Sequence, residues 1–198
     1  MKQQGLEKAM FRLRNAQDAL VKAENSPNSA EFHRYWSEFL SSVDGIYNCL
    51  AQSIGGDVKS RKWFDVIVGL RKNDPLLRYF KHARNVDNHG IEPPAHYDSG
   101  QVKIGGRAEE GFSRKIEVRF DTGPGGFFET KSLDGKPVAV EKFGPRLKLN
   151  PVKDRGVIYD PPKDHLGRQL VDQSAIGAGR ALLKFLDNAL NEARGLIC

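Results

Sequence analysis

Residues 73–91 read NDPLLRYFKHARNVDNHGI, and the fold can be worked outward from them. Asp74 then Pro75 sets an N-cap residue before the residue best suited to the first helical position. Gly90 closes the stretch with the residue type that most easily adopts the left-handed conformation ending a helix. About four turns lie between them without an internal Gly or Pro, which predicts a helix. At about 100° per residue, Leu76, Tyr79, Ala83 and Val86 share an arc that should face a core, with Phe80 at its edge. Arg78, Lys81, His82, Arg84, Asn85, Asn88 and His89 occupy the opposite arc. All of them donate hydrogen bonds, and the histidines alone also exchange a proton near neutral pH. A solvated helix face normally mixes charge signs, yet this arc holds no carboxylate. It suits an anion, with phosphate the obvious candidate. Asp87 projects toward the apolar side, where it is either paired within the bundle, orienting Arg84, or exposed where the bundle is thin.

Within the arc, Arg84-Asn85-Val86-Asp87-Asn88-His89 separates an Arg from a His by four residues, with a polar residue directly after the Arg. That pattern resembles the signature of the HEPN superfamily (higher eukaryotes and prokaryotes nucleotide-binding domains). The preceding Asp74-Pro75-Leu76-Leu77-Arg78-Tyr79-Phe80 is similar to the run-in of bacterial members, and His89-Gly90 to the usual exit. The resemblance covers the helical portion, about half of the chain. It implies a metal-independent endoribonuclease without a cofactor. The 2′-hydroxyl of RNA attacks the adjacent phosphate, leaving a 2′,3′-cyclic phosphate and a 5′-hydroxyl. His89 would move the proton, Arg84 would stabilise the phosphorane charge, and Asn85 would position the phosphate or the His. Arg78, Lys81, His82 and Asn88 would be the further RNA- and phosphate-binding residues. A homodimer with facing signature helices, and a toxin or defence role with an antitoxin as partner, belong to the same implication. Two other classes stay open. One is a HEPN-like module that binds nucleotide or RNA without cutting; the other is a helical interaction protein in which the motif is incidental.

The remainder of the chain fits a helical frame. Gln3 to Glu24 places Leu6, Met10, Leu13 and Leu20 at helical spacing, and Asn25-Ser26-Pro27 stops it. Asn28, with Glu31 three residues later, starts a second helix to about Ile54. Its stripe runs through Phe32, Trp36, Phe39, Val43, Ile46 and Leu50, a spacing that makes Trp36 a core residue. A third helix, Lys59 to Lys72, should turn Trp63, Phe64, Ile67 and Leu70 inward. After Glu92-Pro93-Pro94 the period changes. Arg114 to Phe120 alternates as a strand with one wet face. Phe127 to Ser132 and Pro137 to Phe143 read as a hairpin around Asp134-Gly135. Lys131, Lys136 and Lys142 suit either an extended RNA surface or a solvated face. Gly144 to Lys163, with four prolines, reads as an irregular connection with an edge strand at Val157-Ile158-Tyr159. From about Leu166 to Ala193 the helical pattern returns, with Leu170, Leu182, Phe185, Leu186 and Leu190 on one side. Gly177 and Gly179 weaken its middle and suit close helix contact. The expectation is a mainly α, HEPN-like antiparallel bundle (1–92 and 164–198) with a small antiparallel β insertion (95–163), all one domain.

Composition narrows the classes. The 198 residues are 28% charged and 39% hydrophobic, the range of a globular chain. The net charge of +6 is even: residues 1–95 carry 14 basic and 11 acidic side chains, residues 96–198 carry 17 and 14. Such mild basicity supports nucleic-acid contact only weakly. No run of 18 apolar residues spans a membrane, no signal-peptide stretch opens the chain, and two cysteines make no disulfide framework, so a cytoplasmic setting is expected. His33, His82, His89, His96 and His165 lack Cys or Glu at ligand spacing, so no metal site is expected. Gly105-Gly106 and Gly123-Pro124-Gly125-Gly126 read as turns rather than phosphate loops. No nucleophile elbow is present, and Cys49 is flanked by core positions.

Overall fold

The computed structural model describes residues 1–98, 101–105, 116–120, 128–132, 139–143 and 146–197, with side-chain surroundings for 1–98 and 147–197. The protein is mainly helical, with helices α1 (Gln3–Glu24), α2 (Ser29–Ser53), α3 (Val58–Asn73), α4 (Pro75–His89) and α5 (Ala175–Arg194). Leu6, Leu13 and Leu20 are buried at seven-residue intervals along α1, as are Ala9, Ala16 and Ala23. This seam of large and small side chains lets another helix lie close alongside. α2 does so in the antiparallel sense: Lys2 N donates to Ser53 O at 2.8 Å, and Gly5 meets Ser53 so tightly that a Cβ has no room. Asn28 caps α2, accepting from Glu31 N at 2.9 Å. The α2 stripe is buried throughout, and Trp36 is core, packed with Phe32, Phe39 and Phe80. α5 lies against α1, where a Cβ on Gly179 would stand 2.8 Å from Leu20 Cδ1. Leu182, Phe185, Leu186 and Leu190 are buried along it as expected, while Leu170 is buried ahead of the helix rather than on it. α3 differs, because its main neighbour is α4 alone. Ile67 is buried as expected, whereas Trp63, Phe64 and Leu70 are half-buried.

Two compact units divide the chain, Met1–Tyr97 with Leu147–Cys198, and Asp98–Arg146. The first holds all five helices, so residues 147–163 belong with them and the separate unit is narrower than the expected 95–163. β1 (Ala95–Asp98) pairs with β6 (Arg146–Leu149) where the chain leaves and re-enters the helical unit. Between them come β2 (Gln101–Gly105), β3 (Ile116–Phe120), β4 (Phe128–Ser132) and β5 (Ala139–Phe143). β3 pairs antiparallel with β4, and β2 with β5. This corrects the hairpin expected between the fourth and fifth segments. The register sets Val118 opposite Thr130 and Phe120 opposite Phe128. The Asp134-Gly135 turn, the other glycine turns, the wet strand face and the lysines at 131, 136 and 142 fall outside the described residues and side chains.

Two small hairpins follow. β7 (Val152–Asp154) and β8 (Val157–Tyr159) join through Arg155-Gly156; β9 (Asp164–His165) and β10 (Arg168–Gln169) join through Leu166-Gly167. The turn residues have φ of 51° and 83°, then 49° and 74°. Positive φ at both central positions is the type I′ geometry, whose twist matches the flanking strands. The segment expected to be irregular therefore holds a defined hairpin. The last helix starts at Ala175, later than Leu166, because Leu166 is in a turn; Ser174 caps it, accepting from Gly177 N at 3.0 Å.

α4 buries Leu76, Leu77, Tyr79, Phe80, Ala83 and Val86. Gly90 is extended at φ −92° rather than left-handed; a glycine fits there because a Cβ would lie 2.6 Å from Val86 O. At the other end, Asp74 joins α4 to the β9–β10 hairpin. Its carboxylate accepts from Leu77 N (3.0 Å), His165 Nδ1 (2.9 Å) and Leu166 N (2.7 Å). Burial acts to raise its pKa, but the bonds from Leu166, Leu77 and His165 outweigh it and hold the carboxyl below the ordinary range. A depressed folded pKa means stabilisation present above about pH 4 and lost as pH falls through the lower, folded value. Asp74→Ala should cost about 3 kcal/mol at pH 7, from the lost cap and the buried donors left unpaired. Urea unfolding should show that loss, a smaller one for Asp74→Asn, and convergence of wild type and Ala variant below about pH 4.

Candidate functional site

Helical spacing divides the polar arc of α4 into two edges. Arg78, His82, Asn85 and His89 fall within roughly 60° of one another, whereas Arg84 lies about 140° from His89.

Asp154, at the end of β7, lies against the first edge. Its Oδ2 accepts from His82 Nδ1 at 2.7 Å and from Asn85 Nδ2 at 2.9 Å. The bond from Asn85, then that from His82, holds the Asp154 carboxyl below the ordinary range against the opposing effect of burial. An ionised carboxylate only accepts, so Nδ1 carries the proton and Nε2 is left as the basic nitrogen. Nε2 has no hydrogen-bond partner among the described residues. Tyr159, from β8, stacks on the His82 ring at 3.7 Å and 10°. The Arg78 guanidinium stands 6.0 Å from the centre of the Tyr159 ring. One hairpin thus supplies both the carboxylate and the aromatic plate that orient this histidine.

The second edge faces α2 and α3. Arg84 Nε is 3.5 Å from Asp44 Oδ2, and Asp44 Oδ1 takes Arg71 Nη2 at 2.6 Å. Arg71 lies over the Tyr47 ring at 3.9 Å. The Tyr47 hydroxyl is buried without a partner among the described residues, and burial pushes its pKa up. Assigned from its neighbours, the Asn88 amide oxygen accepts from Arg84 Nη1 at 2.6 Å and Nη2 at 3.0 Å. The Arg84 side chain keeps 30% of its surface exposed. Asp87 accepts from Ser37 Oγ at 2.5 Å, so it is paired within the bundle, with α2 rather than with Arg84. Lys81 and His89 are exposed, and among the described residues neither has an ion pair or hydrogen bond.

One protomer therefore gathers His82 with Asn85, and Arg84 with Asn88. It does not bring Arg84 to His89, and Asn85 serves Asp154 rather than either of them. The carboxylates missing from the arc arrive from elsewhere, as Asp44 and Asp154. For Asp154 no local signal existed, since its partners His82 and Asn85 lie 72 and 69 residues away. For Asp44 none did either, since it sits in α2 among other solvent-side residues. Beyond Arg78 an open cleft of about 710 Å³ is lined by Arg78, Tyr159, Asp160, Lys163, Asp164 and Gln173 among others. Among the described residues, no three His, Cys, Asp or Glu side chains are grouped to hold a metal ion. Among them, too, no helix is long and apolar enough to cross a membrane, and Cys49 is a buried free thiol.

The depressed Asp154 pKa gives a pH test with a definite sign. Ionised Asp154 accepts the His82 hydrogen bond above about pH 4, and that acceptor is lost as pH falls through the folded value. Nuclear Overhauser contacts between the His82 and Tyr159 rings, followed by NMR, should hold from neutral pH to about pH 4 and weaken below it. Asp154→Ala should weaken them at every pH. Compared with protein-family models, curated proteins and solved structures, the chain matches none.

Proposed function

We propose that the chain is a metal-independent endoribonuclease of the HEPN type, cutting RNA by attack of the 2′-hydroxyl on the neighbouring phosphate. The observation that carries this reading is the donor-rich exposed arc of α4, which displays Arg84 and, without a partner among the described residues, His89 on a helix locked in rotation by its neighbours. His89 exchanges protons and Arg84 grips the phosphorane oxygens. Asp44 holds Arg84 by Nε, while its Nη groups meet Asn88, an exposed side chain that a phosphate can displace. Arg78 and Lys81 add positive charge along the same surface. Because Arg84 and His89 lie about 140° apart on one helix, they reach a common phosphate when two copies face each other. A homodimer therefore belongs to the proposal, as do a cytoplasmic setting, a toxin or defence role and an antitoxin partner.

A second reading is a nucleotide- or RNA-binding module without cleavage. The ties of Arg84 to Asp44 and of Asn85 to Asp154 favour it, since both residues then serve as scaffold.

A cleavage assay separates the two. His89→Ala should lower the rate by roughly two to four orders of magnitude, with stability changed by less than about 0.5 kcal/mol because the site is exposed. Arg84→Lys should fail too, since an ammonium cannot reproduce the planar fork. Chelator should have no effect, and a DNA strand of the same sequence should survive for want of the 2′-hydroxyl. A 3′-phosphate product from direct water attack, or a magnesium requirement, would sink the mechanism. RNA bound but uncut would favour the binding module.

A further inference from the structure

We propose that His82, oriented by Asp154, is a second catalytic residue of the RNA site, acting as general base while His89 acts as general acid. The inference rests on the ribonuclease reading above and assigns its two proton transfers.

His82 and His89 stand seven residues apart on α4, close to two full turns. They share one line of the helix, roughly 20° apart around the axis and about 10.5 Å apart along it. A phosphodiester undergoing in-line attack presents one oxygen to deprotonate and another, on the far side of phosphorus, to protonate. Two imidazoles in line along a rigid helix can bracket those oxygens in one protomer.

The two side chains differ in kind. His82 is 17% exposed and held on two sides, by Asp154 at Nδ1 and by the Tyr159 ring. A carboxylate on Nδ1 fixes the tautomer and stabilises the imidazolium formed when Nε2 takes a proton. The groups facing this histidine are Asn85 and Arg78 from α4, Tyr159 from β8 and Asp154 from β7, with Arg155 in the adjoining turn acting on Asp154. Asp154 and Asn85 are positioning residues. His89 is exposed, beside Gly90, and free to swing over the same phosphate.

The step balances. His82 Nε2 takes the 2′-hydroxyl proton as the 2′-oxygen–phosphorus bond forms. The bond from phosphorus to the 5′-oxygen breaks, and His89 gives its proton to that oxygen. A 2′,3′-cyclic phosphate and a 5′-hydroxyl leave, and solvent restores both histidines. Arg78, one turn before His82, is the cation this line sets beside the phosphate; Arg84 reaches it only from a second copy. The nucleoside carrying the attacking hydroxyl lies toward Arg78 and the cleft, and its 3′ neighbour toward His89.

A DNA strand with a single ribonucleotide, and the same strand with sulfur replacing the 5′-bridging oxygen at that site, separate the roles. Thiolate leaves without a proton, so sulfur rescues a missing acid and does nothing for a missing base. His89→Ala should lose about 10²–10⁴-fold on the oxygen strand and return to near wild-type rates on the sulfur strand. His82→Ala and His82→Gln should lose a similar factor on both strands, and lose the acid limb of the pH–rate profile. Circular dichroism checks that each stays folded, and the Gln variant keeps an amide to meet Asp154. Asp154→Asn should lower kcat with little change in KM and displace the same limb. A folded His82→Gln within about threefold of wild type on the oxygen strand would overturn the inference, while loss in His89→Ala would leave the ribonuclease reading standing. Rescue of His82→Gln by sulfur would overturn the base assignment. Wild-type protein that cuts neither strand nor single-stranded RNA would bring down the ribonuclease reading, and this inference with it.

Discussion

The carboxylate of Asp74 receives three donors, from Leu77, His165 and Leu166, and the rest of the site is set by that convergence. It decides where α4 begins, and in a helix of 3.6 residues per turn the starting point decides which residues face inward. Three further aspartates repeat the device around the same helix. Asp154 holds one edge through His82 and Asn85, Asp44 holds the other through Arg84, and Asp87 anchors the buried side to Ser37. A helix gripped at its start and on three flanks has little freedom to turn. Rigid presentation of donors is what electrostatic stabilisation of a phosphorane requires, because the field is in place before charge develops.

Those same grips divide the polar arc between support and availability. His82, Asn85 and Arg84 each hold a carboxylate, which partly cancels the positive field the helix would otherwise present. Lys81 and His89 hold nothing among the described residues, and Arg78 is shared with the Tyr159 ring at long range. Under the proposed function, the surface left for RNA would follow the line from Arg78 through His82 to His89 rather than the whole arc. The motif pairs Arg84 with His89, whereas helical geometry sets His82 and His89 on one line of α4.

Legibility in the sequence tracks locality. Caps and apolar stripes are read within a few residues, so α1, α2 and the body of α4 were visible, down to the Asn28 and Asp74 caps. Register and partnership are decided at a distance. His82 finds Asp154 at a separation of 72 residues and Asp74 finds His165 at 91, and no local pattern foretells either. The small hairpins were hidden for another reason. Arg155 and Leu166 occupy positions where φ is positive and an Asn, Asp or Gly would have announced the turn. In the inserted unit, the strand patterns alone did not say which segments would pair. α3 was legible too, and its Trp63, Phe64 and Leu70 pack against the core only half-buried because few neighbours cover that helix.

The chain departs along β1 and returns along β6, and these strands pair with each other. Entry and exit are thus stapled side by side, which makes whatever lies between them topologically a loop, however elaborate its own folding. Loop closure grows only with the logarithm of length, about 0.6 kcal/mol for each doubling. The helical frame is consequently tolerant of replacement at this point: a longer, shorter or unrelated module could be spliced there over evolutionary time. His82 and Asp154 sit on opposite sides of the splice, yet their geometry is set by the frame. A change of module at that point would therefore leave the His82–Asp154 pairing in place.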